Sequence, residues 1–280
     1  MTLAPSAELL AAATARGRAV AAVNVITLEH AEAIVAGAER AGAGVILQVS
    51  QNAVRFHGGL RPILAACREL AVGSSTPVAL HLDHIDDPEL IAAGIAAAEA
   101  LGIGSIMVDF ATLDYEENVA ATALWTSRAH AAGLLVEAEL GEVGGKDGAH
   151  APGVRTDPVE ASAFVAATGV DALAVAVGSS HAMRDRSAAI DHGLVRALAE
   201  AVPVPLVLHG SSGVAEAEIV RAVEAGIRKV NVGTALNIAG TAAVRSELAA
   251  HPDAVDPRPF TRASRDAMTT VVHELLTALA

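Results

Sequence analysis

The chain has 280 residues, of which 52% are hydrophobic and 18% charged, so it predicts a folded protein with a large core and excludes a disordered one. Its formal net charge at pH 7 is -13, which argues against nucleic acid as a partner because phosphate backbones attract basic surfaces. It has neither the run of about 18 apolar residues that a membrane span needs nor a signal-peptide layout, so we expect a cytoplasmic protein without a membrane partner.

Short apolar segments of strand type alternate along the chain with Ala-rich helical segments, in about eight units. In chain order the predicted elements are strand 20–25, helix 29–41, strand 44–49, helix 60–72, strand 77–82, helix 88–101, strand 105–110, helix 115–132, strand 134–140, helix 158–168, strand 172–177, helix 193–201, strand 205–208, helix 215–225, strand 229–232, helix 235–250 and helix 262–279.

Eight strand–helix units without a linker predict one domain over residues 1–280, an α/β fold of the (β/α)8 TIM-barrel type. The last helix is then an extra C-terminal helix outside the ring. Gly42 and Gly102 support the helix ends, since a left-handed cap favours glycine. Residues 141–157 are polar and rich in glycine, which indicates a mobile lid. The single cysteine, Cys67, is expected to be a buried core residue.

Polar side chains recur at or just after the predicted strands, where the active sites of such barrels are assembled. Burying an ionisable group without a partner would cost about several kcal/mol. We therefore expect these groups to meet in one shared site. In chain order these residues are Asn24, Gln48, Ser50, Asp83, His84, Asp109, Glu137, Glu139, His181, His209 and Asn231.

Three of these residues, His84, His181 and His209, form a candidate three-histidine zinc site with positions open for substrate, although imidazole also suits other divalent metals. Asp83 precedes a proposed ligand, so it either acts as general acid or base or only orients His84. Two alternatives remain open for Asp109 and Glu139, which would hold a second divalent or monovalent cation or serve as structural ion-pair partners.

Two turns at the ends of the last two strands are suited to binding phosphate. Gly210, Ser211 and Ser212 follow His209 and lead into one helix, and Asn231, Val232, Gly233 and Thr234 lead into the next. Backbone amides at glycine turns and helix N-termini are natural phosphate ligands, and the loops after strands seven and eight usually bind phosphate in this fold.

A series of short motifs runs in order through nearly the whole chain. Together they resemble the class II, metal-dependent ketose-bisphosphate aldolases of the fructose- and tagatose-bisphosphate aldolase family. The motifs are Val23-Asn24-Val25 with Leu28-Glu29, Ile46-Leu47-Gln48-Val49-Ser50, His81-Leu82-Asp83-His84, Ser105-Ile106-Met107-Val108-Asp109, Glu116-Glu117-Asn118, Glu137-Ala138-Glu139-Leu140-Gly141, Gly144-Gly145, His181, His209-Gly210-Ser211-Ser212-Gly213 and Asn231-Val232-Gly233-Thr234.

The resemblance implies a lyase of carbohydrate metabolism such as glycolysis, which reversibly cleaves a ketose phosphate to dihydroxyacetone phosphate and an aldehyde. It implies that His84, His181 and His209 bind zinc, that Asp83 exchanges a proton at the cleaved bond, and that Asp109 and Glu139 bind a second or alternative metal. It implies a homo-oligomer, a dimer or tetramer. The substrate would contact Asn24, Ser50, Ala182, Gly210, Ser211, Ser212, Asn231, Val232, Gly233 and Thr234.

The sequence also departs from the family's pattern. Gly144-Gly145 is followed by Lys146-Asp147-Gly148 where the family carries a catalytic glutamate, so Asp147, Glu142 and His150 are alternatives for that role. Ile85 and Ala182 replace glycines. Two other functions therefore stay open. One is a metal-dependent enzyme, such as a hydrolase or aldolase, acting on a non-phosphorylated substrate, and the other is a sugar-phosphate-binding barrel with impaired catalysis.

Overall fold

A computed structural model of the chain describes residues 3–141, 155–179 and 188–279. Eight parallel strands close into a barrel in which each strand pairs with its neighbours in sequence and β1 pairs with β8. The strands are β1 (Val20–Asn24), β2 (Val45–Ser50), β3 (Val78–Ile85), β4 (Ile103–Val108), β5 (Leu135–Leu140), β6 (Ala172–Val175), β7 (Leu206–Leu208) and β8 (Ile227–Val232). The TIM-barrel prediction is therefore confirmed.

Helices surround the barrel, and the main apolar core lies between them and the outward faces of the strands. The last helix lies outside the ring and packs against its two neighbours α2 and α10, as expected. The helices are α1 (Ser6–Ala15), α2 (Leu28–Ala41), α3 (Gln51–Phe56), α4 (Leu60–Gly73), α5 (Pro88–Leu101), α6 (Tyr115–Ala131), α7 (Pro158–Thr168), α8 (His192–Ala201), α9 (Glu216–Ala225), α10 (Thr234–Ala250) and α11 (Arg258–Leu279).

Local sequence signals account for most helix ends. The Asp87 side chain accepts hydrogen bonds from two backbone amides of the first turn of α5, and Pro88 occupies a position where its missing N–H costs nothing. Gly42 and Gly102 end α2 and α5 with left-handed backbones. Cys67 is fully buried in the core, as predicted.

Two helices were not predicted. Residues 51–59 were expected to form a loop, but the first six of them form α3, with the Ser50 hydroxyl accepting a hydrogen bond from the amide of Ala53. Helix α1 lies beneath the barrel, where Leu10 joins the inner core cluster. Both were missed because α3 is short and α1 is Ala-rich on all sides, so neither shows a clear apolar stripe.

The inner face of the barrel is lined largely by small side chains, among them Ala22, Ala79, Ala172 and Ala174. Successive strand residues alternate between faces, so Asn24 and His81, two positions after Ala22 and Ala79, also point inward. This alternation positions the site at the carboxyl ends of the strands. Within the described residues, no helix combines the length and apolar character that a membrane crossing requires.

Candidate metal centre and active site

Asp83 and His84 are neighbours in sequence, yet both side chains lie at the same end of the barrel interior. Regular strand residues would alternate, but His84 has a left-handed backbone with a φ of 50°, and the register with β4 shifts between Leu82 and Ile85. Such a conformation costs about 1–3 kcal/mol and typically occurs at functional sites. As a result, His84 Nε2 lies 4.0 Å from Asp83 Oδ1.

Three side chains from β3, β5 and β7 converge on one point. His84, Glu139 and His209 each offer a ligand atom, and these atoms all lie within 4.8 Å of one another. The two imidazole rings are 4.7 Å apart between centroids and inclined at 65°. Two imidazoles and a carboxylate are a donor set that suits zinc and related divalent ions, so the residues fit a catalytic metal.

Besides Glu139, each of the two histidines has a further carboxylate within hydrogen-bonding distance of its ring. His84 Nδ1 lies 2.6 Å from Asp109 Oδ2, and His209 Nε2 lies 3.0 Å from Glu137 Oε1. These contacts leave Nε2 of His84 and Nδ1 of His209 to face the metal pocket, with Nδ1 of His209 lying 2.9 Å from Glu139 Oε2. Carboxylates that hold the far nitrogen of a metal-binding histidine fix its tautomer and ring orientation.

Buried charges determine the protonation of this cluster. Burial alone would lower the pKa of His209, but its hydrogen bonds to Glu137 and Glu139 outweigh burial and raise the pKa to about 9. Burial alone would raise the pKa of Glu137, but the charge of Lys229 and the bond to His209 hold it well below its ordinary value. A metal that binds at His209 must therefore displace a proton from Nδ1.

Asp83 is buried and held by a chain of amides. Asn24 Nδ2 donates a hydrogen bond to Asp83 Oδ2 at 3.2 Å, and Gln48 Nε2 donates to Asn24 Oδ1 at 2.9 Å. Because Gln48 occupies the amide oxygen of Asn24, the amide nitrogen is directed to the carboxylate. These two hydrogen bonds fix the orientation of the Asp83 carboxylate beside the metal pocket.

The two glycine turns expected to bind phosphate interlock. The Ser211 hydroxyl donates to the Asn231 carbonyl at 2.5 Å, and the backbone amide of Ala235 donates to Ser212 Oγ at 3.2 Å. Neither polar atom of the buried Asn231 amide group has a hydrogen-bond partner within the described part of the chain. Buried amides are normally satisfied, so the Asn231 side chain is an exception among the buried polar groups of this face.

His81 lies one layer deeper than the metal pocket. Its Nδ1 is 2.7 Å from Ser105 Oγ, which donates in turn to the hydroxyl of Ser6 in α1. Burial, followed by the charge of Lys229, lowers the pKa of His81 to about 3, so this histidine is neutral. It contributes to the packing beneath the site.

Comparison with known proteins identifies the family. The model of class II fructose-bisphosphate aldolases matches residues 4–280. A probable fructose-bisphosphate aldolase of Bacillus subtilis and a fructose-bisphosphate aldolase of Geobacillus stearothermophilus are each 38% identical over 276 residues, 97% of this chain and 95% of the relative. This chain belongs to the class II aldolase family. It is therefore a lyase.

A solved structure agrees with this assignment. The YdjI aldolase of Escherichia coli K12 superposes with a TM-score of 0.83 at 30% sequence identity, over 99% of this chain and 97% of that chain. The family match and the structural match of this aldolase thus both cover nearly the whole chain.

Not every predicted site residue of this aldolase can be placed. His181 and Ala182 lie outside the described residues, as do the three alternatives for the loop acid, Glu142, Asp147 and His150. The structure brings together His84, His209 and Glu139, with Asp109 behind His84. Ser50 lies at the end of β2, where its hydroxyl caps α3.

Three residues of this aldolase site had no role assigned from sequence, namely Gln48, Glu137 and Lys229. Strand alternation was the available signal, since Glu137 shares the inward face with Glu139 and Lys229 shares it with Asn231. Helix α11 carries three arginines in its first eight residues, Arg258, Arg262 and Arg265. Among them, Arg258 contacts Asp256 and Arg265 contacts Glu32, so these two guanidinium groups are engaged by carboxylates.

Proposed function

We propose that this aldolase is zinc-dependent and reversibly cleaves a ketose phosphate to dihydroxyacetone phosphate and an aldehyde. The observation that carries the proposal is the left-handed turn at His84, which places the Asp83 carboxylate beside the donor triangle of His84, Glu139 and His209. A metal pocket with an adjacent buried base is what aldol cleavage without a lysine Schiff base requires.

The metal would be held by His84 Nε2, His209 Nδ1 and the Glu139 carboxylate, with His181 as a further ligand by family resemblance. When bound, a divalent ion supplies Lewis-acid stabilisation of the negative charge that develops on the ketone oxygen. Zinc is proposed because two or more imidazoles with an open coordination position are typical of its catalytic sites.

Asp83 would carry the proton. In the cleavage direction its carboxylate takes the proton of the hydroxyl on the carbon whose bond breaks, and in the condensation direction it returns that proton. Asn24 holds the Oδ2 atom of Asp83 in place through the hydrogen bond at 3.2 Å. Because Asp83 is only 2% exposed, little bulk water competes for this proton.

The phosphate of the substrate would bind where the turns after β7 and β8 meet the N-terminus of α10. Amides at the first turn of a helix favour an anion, and Thr234 is the first residue of that helix. The Asn231 amide group, which has no hydrogen-bond partner among the described residues, would contact a hydroxyl of the substrate. A phosphorylated ketose therefore fits this end of the pocket better than an uncharged sugar.

The proposal is tested by separating metal binding from proton transfer. In zinc-loaded Asp83→Asn we expect the zinc content of the wild type and a kcat lower by about 10²–10⁴-fold, the usual contribution of a general base. Asp86→Asn is the matched control, because Asp86 accepts a hydrogen bond from Gln51 and asparagine can do the same. A kcat of Asp83→Asn within threefold of the control would contradict the role of Asp83.

The phosphate site is tested by Ser212→Ala and Thr234→Ala. We expect both variants to raise KM for a ketose phosphate and to weaken inhibition by inorganic phosphate, with kcat changed less. Unchanged KM in both variants, together with the absence of phosphate inhibition in the wild type, would exclude this binding mode.

A further inference from the structure

An ion pair lies inside the barrel beneath the metal pocket. Glu137 of β5 and Lys229 of β8 are in contact through Oε2 and Nζ at 2.6 Å, and their side chains are only 1% and 3% exposed. The inner core cluster includes alanines at 22, 79, 172 and 174, whose small side chains take up little of the interior. The pair is thus built into the centre of the fold.

Such a pair needs an explanation, because barrel interiors are usually filled by bulky aliphatic residues. Removing two charges from water is costly, and well-packed apolar residues of similar volume are often as stable or more stable. Packing alone therefore does not account for a buried glutamate and lysine at these positions. The other carboxylate oxygen of Glu137, Oε1, lies 3.0 Å from His209 Nε2. This contact connects the ion pair to the metal pocket.

We propose that Glu137, fixed by Lys229, is a positioning residue that orients His209 for metal binding. An ionised carboxylate only accepts hydrogen bonds, so Glu137 Oε1 requires the ring proton of His209 to reside on Nε2. Nδ1 then presents its lone pair to the pocket shared with His84 and Glu139. Lys229 occupies the other oxygen of Glu137 and so prevents the carboxylate from turning away.

The variant Glu137→Gln tests the role of the carboxylate. The amide oxygen of Glu137→Gln would be drawn to the Lys229 ammonium, which leaves the amide nitrogen to donate to His209 Nε2. That contact forces the ring proton onto Nδ1 and removes the metal ligand. In the double variant Glu137→Gln with Lys229→Met, the amide oxygen is free to accept from His209 again, so part of the lost metal affinity should return.

The experiment measures Zn²⁺ affinity of the metal-stripped proteins by competition with a chromophoric chelator. Substitution of a residue that orients a metal-bound histidine typically weakens metal binding about 10–100-fold, and we expect this range for Glu137→Gln. We expect the double variant to lie between Glu137→Gln and the wild type. The control is Glu32→Gln, which breaks the partly buried pair of Glu32 and Arg265 between α2 and α11 and should leave the affinity unchanged.

A second readout is the visible absorption of bound Co²⁺, which reports ligand geometry and should change in Glu137→Gln but not in Glu32→Gln. Unfolding of each metal-free protein is followed in parallel. If Glu137→Gln does not fold, the double variant decides alone: zinc binding weaker than in the wild type supports the inference, and equal binding overturns it.

The inference rests on the metal site of the proposed function. Different results would contradict the metal site and the role of Glu137. A wild-type protein that does not bind Zn²⁺ would overturn both. Tight zinc binding by the wild type that is equally tight in Glu137→Gln, or a loss matched by Glu32→Gln, would overturn the role of Glu137 alone.

Discussion

Gly233 lies directly before α10 and against the side chain that holds Asp83. A Cβ at residue 233 would be 2.7 Å from Asn24 Oδ1, closer than real Cβ contacts. Asn24 is not free to rotate away, because it accepts a hydrogen bond from Gln48 at 2.9 Å and donates one to Asp83 at 3.2 Å. The bond to Asp83 is already long, so we expect Gly233→Ala to break it.

The size of the effect follows from that bond. A hydrogen bond to a charged group is worth about 1.5–3 kcal/mol, which corresponds to a loss of roughly 10–150-fold in kcat/KM if it acts fully in the transition state. The assay couples release of triose phosphate to its reduction by NADH. Gly73→Ala is the control, because a Cβ there would meet no atom within 4 Å.

We expect Gly73→Ala to match the wild type and Gly233→Ala to retain its zinc and its cooperative unfolding. A value of kcat/KM for Gly233→Ala within twofold of the wild type would refute the reasoning, since it would mean that Asn24 does not hold Asp83 for catalysis.

Three further outcomes are expected. His81 has its pKa lowered to about 3 by burial and by Lys229, so the unfolded chain binds an additional proton between that value and pH 6.5. Stability from this group is thus lost as pH falls below 6.5, by up to about 1.4 kcal/mol per pH unit. Denaturant unfolding of the metal-free proteins should show that the free energy of unfolding falls less between pH 7 and 5.5 in His81→Asn than in the wild type. An equal fall in both proteins would contradict this. Gly37→Ala would place a Cβ 2.7 Å from Val272 and should destabilise α11 packing by about 1–3 kcal/mol in the same assay, whereas unchanged stability would show that the helices separate freely. Zinc at 1,000 times its Kd should stabilise the wild type by about 4 kcal/mol and His84→Ala far less; equal shifts would remove His84 from the metal site.

Much of the fold was predictable because strands, helices and their glycine ends leave strong local patterns. Helix Pro88–Leu101 has the predicted bounds, and within the described residues Asn24, Gln48 and Asp83 lie near the carboxyl ends of their strands. Local sequence patterns do not predict an unusual backbone conformation at a single residue. The predicted strand ends at residue 82, before His84, whereas His84 lies within β3 and reaches the pocket through a left-handed turn.

Contacts between side chains across the barrel interior could also not be predicted from the sequence. Glu137 and Lys229 are 92 residues apart and lie on strands that do not pair, yet their side chains meet inside the closed barrel. Asp109 was matched to a metal position, and the structure places its carboxylate against His84 Nδ1. Residue types indicated a metal and a base, but the roles of the supporting carboxylates required the geometry.

We propose that the carboxyl ends of the strands form a metal-dependent aldol-cleavage site. Its most direct test is release of dihydroxyacetone phosphate from a panel of ketose mono- and bisphosphates, including fructose 1,6-bisphosphate and tagatose 1,6-bisphosphate. The assay is run on chelated protein and again after zinc is restored. We predict no release after chelation and release from at least one substrate after zinc returns. Fully zinc-loaded protein that releases none from any substrate would contradict the claim.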